Sequence, residues 1–202
     1  MSSLCTRSLV ALVTLALVNH IGCRTSEAQT SDATSRVVAA ALPLPEHLRA
    51  DATVIKTASD GTATILKKGS NGMVCTNASS PETFSAFCFN ESIFALLNRA
   101  TELSKQMGSP DTSKAVTDAI EKEINAGKLN LPSQTTVGFA MRGPINGYNP
   151  ATNTTGAEIK SWQMIMVPFA TGKTLALPEQ PIKGVPWVMA AGTWMAHIMI
   201  EH

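Results

Sequence analysis

The residues with the clearest potential for chemistry lie at the C-terminus, in "WMAHIMIEH" at 194–202. Extended backbone sends successive side chains to opposite faces, so Met195, His197, Met199 and Glu201 share one face, opposite Ala196, Ile198 and Ile200. A second apolar stretch, "QMIMV" at 163–167, puts Met164 and Met166 on a common face, and Met189 lies just upstream of the histidine. Thioether and imidazole together suit Cu(I), a cation that exported bacterial proteins meet. Methionine is equally a pliable filler of irregular cores. Core packing is therefore the first expectation for this face, with no metal or other cofactor required. Cu(I) coordination by Met164, Met166, Met195, His197 and Met199 is the alternative. A third reading makes His197 the acid or base of a hydrolase or isomerase, with Glu46 or Asp51 as its carboxylate. In each case the ring sits between Ala196 and Ile198 and is expected to be buried and mostly neutral at pH 7, its N–H taken by a loop carbonyl or by one of those carboxylates.

Motifs that would name a reaction fail on spacing. "TGKT" at 171–174 resembles the end of a phosphate-binding loop, but Val167 stands where that motif needs its first glycine. The glycines of "GSNG" at 69–72 precede no helix and read as a turn. "HIMIEH" misses the H-x-x-E-H spacing by one residue, and a strand would put its two histidines on opposite faces. The preferred expectation is a non-enzymatic protein of the cell envelope, structural or binding a small ligand or an envelope partner.

An envelope location follows from the first 28 residues. Arg7 precedes the apolar run "LVALVTLALV" at 9–18, which is shorter than the ~20 residues a membrane-spanning helix needs. Residues 1–28 read as a secretory signal peptide, with "SEA" at 26–28 as one cleavage site and "HIGC" as a competing lipobox that would lipidate Cys23. Any membrane attachment would be through that lipid anchor. Cys5 and Cys23 belong to this segment, which leaves Cys75 and Cys88. An even pair in an oxidising compartment reads as one disulfide. Apart from Arg7, Arg24 and Glu27, acidic and basic residues balance. A neutral chain without a Lys/Arg cluster lacks the charge footprint of a nucleic-acid binder.

The elements that must position these residues follow from periodicity. Residues 29–41 are expected to be a flexible leader and 42–202 a single domain, since hydrophobic residues make up 44% of the chain, enough for one core. Pro45 can open a short helical turn. β-Branched runs separated by Asp60-Gly61 and Asn71-Gly72 predict strands near 52–57, 62–67 and 72–75, a small meander. The period then becomes helical. Asn90 is the expected N-cap of a helix with Ile93, Leu96, Leu97, Ala100, Leu103 and Met107 on one face, ending at Gly108. Asp111 is expected to cap a second helix that buries Ala115, Val116, Ala119, Ile120 and Ile124 and ends at Gly127. Strands are expected again at 135–141, 162–169 and 187–200, with a polar, turn-rich loop at 142–156 where a ligand could sit. The sum is an α+β domain: an antiparallel sheet, a two-helix layer on one face and one intrachain disulfide.

At "LKKGSNGMVC", Cys88 and "PWVMAAGTWMAHIMI" the chain resembles an uncharacterised family of exported bacterial proteins, in which an NG turn runs into a cysteine and the C-terminus reads G-T-x-x-A-H-x-M. The matching residues are Gly69, Asn71, Gly72, Cys75, Gly192, Thr193, Ala196, His197 and Met199. Trp194-Met195 departs from the Pro-Tyr-like pair of that pattern. The resemblance implies export and brings no activity with it.

Overall fold

The computed structural model describes residues 37–58 and 62–201. The signal-like segment with Cys23, the leader over 29–36 and the Asp60-Gly61 turn lie outside the described residues. The fold is α+β. Eight strands form one sheet: β1 (Thr53–Thr57), β2 (Ala63–Lys67), β3 (Met73–Asn77), β4 (Thr83–Asn90), β5 (Val137–Pro144), β8 (Lys160–Met166), β9 (Trp187–Met189) and β10 (His197–Glu201), in the spatial order β2-β1-β3-β4-β5-β8-β10-β9. Two short strands, β6 (Tyr148–Asn149) and β7 (Thr154–Thr155), form a separate hairpin in the polar loop after β5. The helices are α1 (Glu46–Arg49), α2 (Glu91–Met107), α3 (Lys114–Asn125) and α4 (Gly172–Leu175).

The two long helices cover one face. Asn90 caps α2 by accepting the Ser92 N–H, and Gly108 ends it in the left-handed region, φ 60°. The stripe of α2 that reaches full burial is Ile93, Leu96, Ala100 and Leu103; Met107, the last residue of the helix, is exposed. In α3 the cap is Ser113 rather than Asp111, and Val116 and Ile120 are buried while Ala115 is exposed. Met166 of β8 and Trp194 of the turn before β10 complete this core. Across the helix pair, Arg99 donates Nε and Nη2 to the two carboxylate oxygens of Glu123, at 2.9 and 2.6 Å. That bond holds the Glu123 carboxyl below its ordinary range. A depressed carboxylate pKa adds stability above the unfolded value of about 4.3 and loses it as pH falls through the folded value. Glu123→Gln should therefore cost about 1 kcal/mol in urea unfolding at pH 7 and nothing measurable near pH 2.

The opposite face is covered by the segment expected to be loose leader. Ala39, Ala40, Ala41, Leu42 and Leu44 are buried against Val54, Cys75, Phe84 and Cys88. Residues 37–40 are helical, and Arg49 ties the turn that follows by donating to the Leu44 and Leu42 carbonyls at 2.8 and 3.0 Å. Small side chains let this backbone lie close to the sheet, so the folded domain includes residues 37–41. Cys75 and Cys88 are bonded directly across β3 and β4, with Cα atoms 4.0 Å apart.

Three strand expectations change. β4 is an additional, central strand, and its apolar side chains face both layers. The stretch 187–200 is two strands, because Ala190 and Gly192 take positive φ (54° and 77°) and reverse the chain. The first three strands are no meander: β1 pairs with β2 antiparallel and with β3 parallel. The link from β2 must cross the entry to β1, and it does so at Gly69. A β-carbon there would lie 2.2 Å from the Asp51 carbonyl oxygen. The crossing is pinned by Ser70 and Asn71 N–H groups on that same oxygen, at 2.8 and 3.2 Å, and by Asn71 Nδ2 on the Leu48 carbonyl at 2.8 Å. Gly69→Ala is expected to lower stability by about 2 kcal/mol, read as a lower urea midpoint with unchanged slope, because two backbones would have to part.

Candidate functional site

Strand pairing brings the Met/His residues together. β10 lies between β8 and β9, and its register sets His197 opposite Met166 on one side and Met189 on the other. One row along, Met199 sits opposite Met164 and Trp187. Side chains directly opposite across antiparallel strands have Cβ atoms about 5 Å apart, so each row is a set of cross-strand neighbours. The two faces read from the sequence become one: Met164, Met166, His197 and Met199, joined by Met189, share the helix-side face of the sheet. Met195 does not belong to the row. It precedes β10, where its side chain packs among the helix-side core residues.

The turn before β10 orients the imidazole. Thr193 Oγ1 donates to the Ala190 carbonyl at 2.8 Å and accepts the Met195 N–H at 3.2 Å. Trp194 is fully buried beneath the helices, and its backbone N–H donates to Glu121 Oε1. Anchored on both sides of the bend, the turn presents the Met195 carbonyl to His197 Nδ1 at 2.7 Å. A carbonyl only accepts, so Nδ1 carries the proton and Nε2 holds the lone pair. The exit from β8 is stitched to the same turn. Val167, Phe169 and Gly192 N–H groups reach the carbonyls of Ala196, Thr193 and Ala170, with Phe169 at φ 63°. A phenylalanine in the left-handed region is a strained backbone that the surrounding bonds must hold.

His197 is 7% exposed. Burial pushes its pKa below the ordinary imidazole range, partly offset by the bond to Met195. The ring is neutral at pH 7. The buried side-chain N and O atoms without a partner among the described residues are Thr136 Oγ1 and Trp194 Nε1. Nε2 of His197 is not one of them, and no hydrogen bond to it is seen among the described residues.

The carboxylates considered for His197 are elsewhere. Glu46 lies in α1, and Asp51 lies just before β1, five strand spacings from β10, about 24 Å at the usual interstrand distance; neither is bonded to His197 among the described residues. The His–carboxylate pair is therefore not assembled, and the ring takes the backbone carbonyl instead. Glu201 shares the Met/His face and is ion-paired with Lys160 at 2.9 Å. Among the described residues no three His, Cys, Asp or Glu side chains come close enough to hold a metal ion.

Residues that pattern reading did not single out form a second feature. Between α2 and the sheet lies a cavity of about 200 Å³, walled by Ile55, Val74, Phe87, Phe89, Phe94 and Leu97. Thr76, Asn98 and Asp111 bring polar groups to its wall, and Met195 closes the side toward His197. The signal for it was the alternation Phe87, Phe89 in β4, which sends both rings to the helix side. The polar loop at 142–156 is a hairpin braced by Tyr148, whose ring stacks on Phe84 at 4.6 Å and whose hydroxyl donates to Asn153. Models of known families, curated proteins and solved structures were all compared with this chain, and none matches it.

Proposed function

We propose that the chain is a non-enzymatic binding domain of the bacterial cell envelope, and that its ligand is a small, mostly apolar molecule held between α2 and the sheet. The cavity carries this reading. Its volume of about 200 Å³ suits a single ring or a short branched chain, and its wall pairs three phenylalanines with a few polar groups. Concave apolar walls with sparse polar groups are the usual form of a small-molecule site. The signal-like N-terminal segment, the disulfide and the resemblance to exported proteins support the envelope location. Among the described residues no helix is long and apolar enough to cross a membrane.

The test is titration of methyl-labelled protein with p-cresol and with hexanol, followed by NMR. Saturable shifts confined to the Ile55, Val74 and Leu97 methyls are expected, and they should vanish in Val74→Phe, which fills the cavity from the sheet side while the rest of the spectrum is kept. If neither probe gives saturable shifts at these methyls, the proposal fails.

A further inference from the structure

We infer that the helix-side face of β8, β10 and β9 binds one Cu(I) ion, with His197 Nε2 and the thioethers of its two cross-strand neighbours, Met166 and Met189, as ligands. This goes beyond the cavity reading and is independent of it.

Three observations carry it. The register places one methionine directly on each side of the histidine, and Met164 and Met199 on the next row. At a Cβ separation of about 5 Å, an unbranched side chain with three rotatable bonds can bring its sulfur to an ion held at the ring nitrogen between them. The second observation is the tautomer. Nδ1–H is given to the Met195 carbonyl at 2.7 Å, which fixes the ring plane and leaves Nε2 as the free donor. A backbone carbonyl on the far nitrogen is the recurrent outer support of histidines that ligate metals. Third is access. Met166 and His197 are 5% and 7% exposed, but Met189 is 40% exposed, so the row runs from the core to the surface.

The donor set selects the cation. Two thioethers and one imidazole form a soft, uncharged site that favours Cu(I) over Zn(II), Mg(II) or Ca(II), whose sites draw on thiolates, several imidazoles or carboxylates. Among the described residues no thiolate competes, because Cys75 and Cys88 are bonded to each other on β3 and β4. The carboxylate of Glu201 is engaged by Lys160. Trp187, opposite Met199 on the next row, adds an aromatic face that tolerates a nearby cation.

The experiment is anaerobic competition at pH 7 between the disulfide-intact protein and bicinchoninate for Cu(I), read from the chelator's absorbance. Wild type is expected to withdraw one equivalent with a submicromolar Kd. His197→Gln and Met189→Leu should each weaken binding about tenfold or more. Met189→Leu is the decisive variant, because this exposed side chain can change without disturbing the core, and a thermal melt shows whether His197→Gln remains folded. Zn(II) in excess should not displace the copper. Failure of wild type to compete, or undiminished binding in a folded Met189→Leu variant, would overturn the inference.

Discussion

Leu96→Asp should cost about 4 kcal/mol or more, a large part of the stability of a domain this size. Leu96 has no solvent exposure, and it lies at the centre of the α2 stripe, against Val116 and Ile120 of α3 and Trp194 of the turn before β10. A carboxylate there loses its hydration and finds no cation. The nearest strong one, Arg99, is already held by Glu123 and Glu102. Burying an unpaired charge is among the few single changes that reach this size. Lys105→Asp, on the exposed side of the same helix, should cost under about 1 kcal/mol, mostly through the helix C-terminal dipole. Leu97→Asp should fall between the two, because Leu97 is half-buried at the cavity wall, where a carboxylate can turn toward water. Urea unfolding of the three variants checks the order. Equal costs for Leu96→Asp and Lys105→Asp would mean that α2 does not dock through this face.

Removing the disulfide is the second large effect. Cys75 and Cys88 close a short ring, the bonded residues being 13 positions apart in the sequence, and both are buried where β3 and β4 face the 37–44 segment. In the chain-entropy model a ring of this size restricts the unfolded chain by about 3 kcal/mol. The Cys75→Ala/Cys88→Ala double variant should therefore unfold at a lower denaturant concentration by about that amount. Alkylation of denatured, unreduced protein should label neither residue, and the reduced protein should take up label at both. Quantitative labelling before reduction would show that the bond is absent from the protein in solution.

What the sequence determined by itself was local. Alternation placed His197 and Met199 on one face and Met164 and Met166 on another, because the side-chain period of a strand is fixed by backbone geometry. Asn90, Gly108 and Gly127 marked helix ends because orphan backbone groups there need a side-chain oxygen or a left-handed residue. Cys75 and Cys88 were paired by arithmetic alone. Only the tertiary structure decided neighbours. Nothing in "QMIMV" or "HIMIE" says that β8 and β10 are adjacent, since strand order is chosen by long-range burial of two faces at once. The same global choice set β1 beside β3, left Asp51 five strands from His197, and turned 187–200 into a bent pair by means of positive φ at Ala190 and Gly192. β4 escaped pattern reading because "FSAFCF" meets apolar layers on both sides, which erases the alternation that would reveal a half-exposed strand. The Ala-rich segment 37–41 escaped for a related reason: its small side chains carry little hydrophobic signal, and their value lies in letting the backbone approach a sheet whose position the segment itself does not encode. The cavity is further still from the sequence, since it is the space left where the α2 stripe and the Phe87–Phe89 surface fail to interlock, a property of two surfaces and of neither alone.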